Sequence, residues 1–137
     1  MPRIDYRVVI IAFAAELVAD VAIGALLFSL FAGDRITPDM TDAQFLEVRR
    51  AVLGTTSCLA WLVLFGSATT VGGGYLAARL AKRIPYYHGL AMGIVGVIDV
   101  VVEWNSEFTA LAWLGIVTTI PLALLGAHLA KRQLETA

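Results

Sequence analysis

Four long apolar stretches dominate this chain and leave it few places to fold other than a lipid bilayer. They run over about residues 8–31, 51–72, 86–104 and 109–129. A hydrocarbon core roughly 30 Å thick is crossed by about 20 apolar residues of helix, and each stretch supplies that length. In lipid the backbone N–H and C=O groups must be satisfied within the segment, so spans of this kind are helical. Composition agrees: 59% of the 137 residues are hydrophobic and only 15% are charged, against about 25% charged in soluble domains. The expectation is an all-α, four-transmembrane-helix bundle forming a single integral membrane domain over residues 1–137.

The first stretch follows Arg3 and Arg7, as a signal peptide would. It is longer than the roughly 7–15 residues of a signal h-region, and Glu16 and Asp20 interrupt it, so it reads as a retained span. Residues 32–44 are polar, carry Pro38, and read as a loop. Thr41 and Gln44 have the spacing of a capping box, in which hydroxyl and amide satisfy free backbone N–H groups at a helix start. The next helix is therefore expected to begin near Asp42, to lie in the interface over Asp42, Glu47, Arg49 and Arg50, and to enter the bilayer near Ala51. It continues beyond residue 72 to about Lys82. Ile84 before Pro85 ends it, because a residue preceding proline is pushed out of the helical region.

Charge sets the orientation. With both termini inside, the cytoplasmic side holds Arg3, Arg7, Arg79, Lys82, Arg83, Lys131 and Arg132, while the outer side holds Arg35, Arg49 and Arg50 among four acids. Cytoplasmic loops carry the excess of Lys and Arg, so both termini are expected in the cytoplasm. Tyr6, Tyr86 and Tyr87 then mark the inner interface and Trp104 the outer one.

Short segments recur. Leu59-Ala60-Trp61-Leu62 reappears as Leu111-Ala112-Trp113-Leu114, and Leu80-Ala81-Lys82-Arg83 as Leu129-Ala130-Lys131-Arg132. Spans one and three each hold two acids four residues apart. A duplicated helical hairpin, related by a pseudo-two-fold axis along the membrane normal, accounts for these recurrences, as does chance in a chain rich in Leu and Ala.

The acids carry most of the functional information. Glu16, Asp20, Asp99 and Glu103 lie within apolar spans, where an ionisable side chain costs roughly 2.5–3.5 kcal/mol even on the lenient insertion scale. Spacing of four residues puts each pair on one helix face. No Lys or Arg lies at that depth, so the carboxyls are expected to be protonated, to share protons, or to hold a cation. The competing reading is that protonated acids hydrogen-bond between helices and serve assembly. His88 lies eleven residues before Asp99, about 20° away on a helical wheel. It is a candidate proton relay at the cytoplasmic mouth, or simply an interfacial histidine after the turn.

Small residues form a second pattern. Gly66, Thr70, Gly73 and Ala77 make one stripe, Gly89, Gly93 and Gly96 another, and Gly115, Thr119 and Gly126 a looser third, as expected where helices approach closely. Residues 72–74, three consecutive glycines, read as packing in preference to a helix break or an anion-binding turn. Thr70, Thr118 and Thr119 are candidate cavity-lining residues; the last two stand close to Pro121, which frees a carbonyl that threonines can re-satisfy.

Other classes find little support. A formal net charge of −1 without like-charge blocks gives no nucleic-acid footprint. Cys58 is the only cysteine, so no intramolecular disulfide or thiol-rich metal site arises. No cofactor or metal motif and no nucleophile–base set is recognisable.

The stretch from Gly72-Gly73-Gly74-Tyr75 through Ala77, Arg79 and Ala81 to His88-Gly89 and Gly93 resembles a group of small bacterial four-helix membrane proteins with a Gly-Gly-aromatic-x-Ala-x-Arg-x-Ala segment followed by His-Gly. The likeness covers residues 72–93 of 137 and implies the topology and a bacterial inner-membrane setting. Ala15-Glu16-Leu17 is similar to the first span of the small multidrug exporters; the long outer loop, the additional acids and the later spans depart from that family. The leading expectation is a proton- or cation-coupled transporter or channel-like protein, with a proton, cation or small cationic substrate as ligand, dimerising through its glycine faces. The alternatives are a non-catalytic membrane scaffold or accessory subunit and, more remotely, an intramembrane enzyme acting on a lipid or small hydrophobic substrate.

Overall fold

Helix starts and stops follow from local chemistry at each end. The computed structural model describes residues 4–102 and 109–136, and within them the fold is entirely helical. The helices are α1 (Tyr6–Ala32), α2 (Asp42–Leu53), α3 (Thr56–Ala81), α4 (Pro85–Val102) and α5 (Thr109–Thr136). Four of them, all except α2, are long and apolar enough to cross a membrane. Asp5 caps α1 by accepting the Arg7 amide at 3.0 Å. Beyond Ala32 the chain turns through Gly33 at φ +52°, a left-handed conformation that glycine adopts without steric penalty.

The capping box at the start of α2 is present. Thr41 Oγ1 accepts the Gln44 amide, and Gln44 Oε1 accepts the Thr41 amide at 2.9 Å. The helix does not run on into the second span as the sequence suggested; α2 ends at Leu53 and α3 starts afresh at Thr56. Gly54 weakens a helix interior by about 1 kcal/mol relative to alanine. Thr55 offers the backbone an alternative: its hydroxyl donates to the Val52 carbonyl at 2.7 Å, and its own carbonyl accepts the Leu59 amide at 3.0 Å.

The break before Pro85 occurs as expected. Lys82 (φ 55°) and Ile84 (φ 44°) both adopt left-handed backbone there, a rare state for a β-branched residue. Pro85 then occupies the first position of α4, where its missing N–H is not needed.

Two compact units emerge. The first comprises residues 1–18 and 67–137, the second residues 19–66. In the first, glycine and alanine bring helix backbones together. A side-chain carbon on Gly74 would fall on the Ala123 carbonyl, and one on Gly126 would fall on the Val71 carbonyl, so α3 and α5 touch main chain to main chain. Gly93 sits against Ile120, Gly89 against Ala127, and Gly96 against Thr119, which closes α4 onto α5. Ala78, Ala127 and Ala130 gather with Tyr75, and Val9, Ala12, Ala77 and Met92 join α1 to the same unit.

The second unit uses larger side chains: Ala32, Val52 and Cys58 are surrounded by Phe28, Phe31, Val48, Leu53 and Leu62. Phe28 and Phe45 meet edge to face at 5.6 Å. In both units the big aliphatic side chains point outward, with Val18 69%, Leu30 67% and Val117 67% exposed. A fold in water would hide such surface; lipid tails accommodate it.

Candidate intramembrane carboxylate site

Glu16 lies ten residues into α1, near the middle of a span. Its carboxyl rests against Gly73 of α3: a β-carbon built on Gly73 would overlap Glu16 Oε2 and come within 3.0 Å of Met92 Cε of α4. The missing side chain at residue 73 therefore makes room for an acid, with apolar Met92 as the opposite wall. Glu16 is half-buried there and does not stand alone, since it takes part in at least one polar interaction with its surroundings.

The other predicted acids differ in their settings. Asp20 belongs to the second unit, is exposed, and also has an interaction partner. At 100° per residue it sits on the α1 face that carries Val9 and Leu27, both of which are buried. Asp99 is half-buried on α4. It is seven residues from Met92, hence about 10 Å farther along the helix on nearly the same face. Glu103, like Arg3, Trp104 and the link between the last two spans, lies outside the described residues. Among the described residues no three His, Cys, Asp or Glu side chains stand close enough to hold a metal ion.

His88, in the first turn of α4, is a buried tie between helices. It is 2% exposed; its Nε2 accepts the Asp5 amide at 3.1 Å and its Nδ1 lies 3.2 Å from the Ile84 carbonyl. Both contacts are satisfied together by a neutral ring with its proton on Nδ1, a tautomer assigned from its partners. The histidine thus fastens the start of α1 to the strained turn before α4.

The threonines near Pro121 bond within their own helix: Thr118 Oγ1 donates to the Leu114 carbonyl and Thr119 Oγ1 to the Gly115 carbonyl, both at 2.7 Å. These are not the carbonyl that proline frees, which belongs to Val117 one turn before it. Thr119 is buried beneath Gly96. Thr70, half-buried on α3, lies within one turn of Gly73 and engages a partner of its own.

Sequence reading missed two polar clusters at the end of the first unit where α3 and α5 finish and α4 begins. Arg79 and Tyr75 meet Gln133 in one, and Tyr86, His128 and Lys131 meet in the other. Tyr75 and Arg79 are four residues apart on a helix, a spacing that places them on one face. Of the glycines in the three stripes, Gly73, Gly89, Gly93, Gly96 and Gly126 pack closely against neighbours within the chain, whereas Gly66 has nothing within 4 Å. No family model matches the chain, and neither a curated protein nor a solved structure is significantly similar to it.

Proposed function

We propose that this chain is a small membrane transporter or channel-like protein that handles protons or cations, with Glu16 as the binding carboxylate. The observation that carries this reading is the seat of Glu16 on Gly73. A carboxyl in mid-span is costly, yet here a backbone position without a side chain accommodates it, next to a flexible methionine that can yield. A group held this way can exchange a proton for a cation with small movements of its neighbours. Asp20, four residues farther along α1 and exposed, is a second candidate carboxylate, and Asp99 on α4, seven residues from Met92, is a third.

The test is flux in proteoliposomes loaded with a pH-sensitive dye under an imposed gradient. Glu16→Gln should lower proton or cation flux by about tenfold or more, the scale on which acid–base groups act, with Asp20→Asn and Asp99→Asn lowering it less. Flux unchanged in all three variants removes the mechanism and leaves the scaffold reading.

We infer further that both termini face the cytoplasm of a bacterial inner membrane, from the distribution of Lys and Arg. We also infer that the two halves descend from one helical hairpin. The Leu-Ala-Trp-Leu recurrence spans 52 residues, and so do Gly74 to Gly126, Val71 to Ala123, Tyr75 to Ala127 and Ala78 to Ala130. These are the residues that meet across α3 and α5. A contact in which each residue faces the counterpart of its own neighbour is what a two-fold axis generates. The acid pairs do not share that spacing, and the Leu-Ala-Lys-Arg recurrence stands at 49 residues.

A further inference from the structure

The termini of the spans in the first unit hold a feature that the carboxylate site does not use. The start of α1, the end of α3, the start of α4 and the end of α5 meet at one end, joined by Asp5 to His88 and by Arg79 to Gln133. That end carries Arg7, Arg79, Lys82, Arg83, Lys131 and Arg132 against two described acids. Both acids are engaged: Asp5 caps α1, and Glu135 pairs with Lys131 at 3.5 Å.

Arg79 differs from the other cations in being held in place. Its Nη1 donates to the Tyr75 hydroxyl and, at 2.6 Å, to Gln133 Oε1, while the Tyr75 hydroxyl donates to the same oxygen at 2.6 Å. The guanidinium carbon lies 5.7 Å from the centre of the Tyr75 ring. The residue is exposed, and among the described residues no carboxylate pairs with it. Both bonds use one nitrogen of a fork that has five N–H donors in fixed geometry. What remains is a pre-oriented guanidinium edge in the last turn of α3, a helix long and apolar enough to cross a membrane. Planar forks of this kind match the two oxygens of a phosphate group. On the other flank of α5, Lys131 lies 5.4 Å from the centre of the Tyr86 ring, whose hydroxyl is 2.8 Å from His128 Nδ1. Lys131 is already shared with Glu135, so it is the weaker of the two.

We propose that Arg79, positioned by Tyr75 and Gln133, binds the phosphodiester headgroup of an anionic phospholipid, with Lys131 as a secondary contact across α5. This assignment is independent of the carboxylate site.

The test is thermal unfolding of the full chain in neutral detergent, titrated in separate arms with phosphatidylglycerol, phosphatidylcholine and inorganic phosphate. Phosphatidylglycerol should raise Tm, and neither of the others should do so comparably. Arg79→Gln should weaken the apparent affinity for phosphatidylglycerol by about fivefold, and Lys131→Gln by about twofold, in line with the attraction of single basic residues to anionic headgroups. Arg35→Gln, in the second unit, should titrate as wild type. Gln133→Ala, a surface change that unfastens the guanidinium, provides a second variant and should give an intermediate loss. Equal stabilisation by phosphatidylglycerol and phosphatidylcholine overturns the proposal, as does an Arg79→Gln or Gln133→Ala titration indistinguishable from wild type. Stabilisation by inorganic phosphate alone assigns the site to a free anion and overturns the lipid.

Discussion

The two units solve the packing problem in opposite ways. Residues 67–137 and the start of α1 are held by what is missing: glycines and alanines that let backbones touch, as at Gly74 and Gly126. Residues 19–66 are held by what is present, phenylalanines and leucines around Val52 and Cys58. Lipid tails are as apolar as leucine, so association between spans depends on close van der Waals fit. Main-chain contact of the first kind leaves almost no slack at Gly74 and Gly126, and beside it the bare backbone of Gly73 makes room for the Glu16 carboxyl. The larger-residue unit holds Asp20 in an exposed setting.

The contrast can be broken most forcefully at the α3–α5 contact. Gly74→Ala and Gly126→Ala each drive a methyl into a facing carbonyl, and each should destabilise the fold by about 3 kcal/mol in denaturant-induced unfolding. Near-equal losses at the two positions would sharpen the case for a duplicated hairpin; a loss at one alone would count against it. In the second unit, Phe28→Ala leaves a hole and the edge of Phe45 unpaired; about 2 kcal/mol is expected, below the full-burial range because Phe28 is only partly covered. Thr41→Ala removes half of the capping box and should cost about 1 kcal/mol, read as reduced helicity of α2 by hydrogen exchange. Gly72→Ala, two residues from Gly74 but with nothing within 4 Å of the added methyl, should be neutral or stabilise by about 0.5 kcal/mol.

Much of this was legible in the sequence wherever the signal is local. The four spans follow from run length, the α2 start from Thr41 and Gln44, and the α3 end from Ile84-Pro85. The break at Gly54 and Thr55 was not, because Thr55 acts through a hydroxyl–carbonyl bond that competes with an otherwise continuous helical pattern. The glycine stripes announced close packing, but which helices they join depends on rotation about each axis, and periodicity does not fix that. The same holds for the site. Glu16 was visible as an acid in an apolar run; that Gly73 seats it required the register of α1 against α3. That His88 is buried was not legible from its place after a turn, because it depends on the return of Asp5 to its ring.

The most direct test of Glu16 as a proton-exchanging carboxyl is infrared difference spectroscopy of the protein in lipid across a pH titration. Wild type should present a protonated-carboxyl C=O band that changes over the same pH interval as flux, and Glu16→Gln should lack that band while keeping the amide signature of the folded helices. Identical carboxyl difference spectra in wild type and Glu16→Gln would contradict the account.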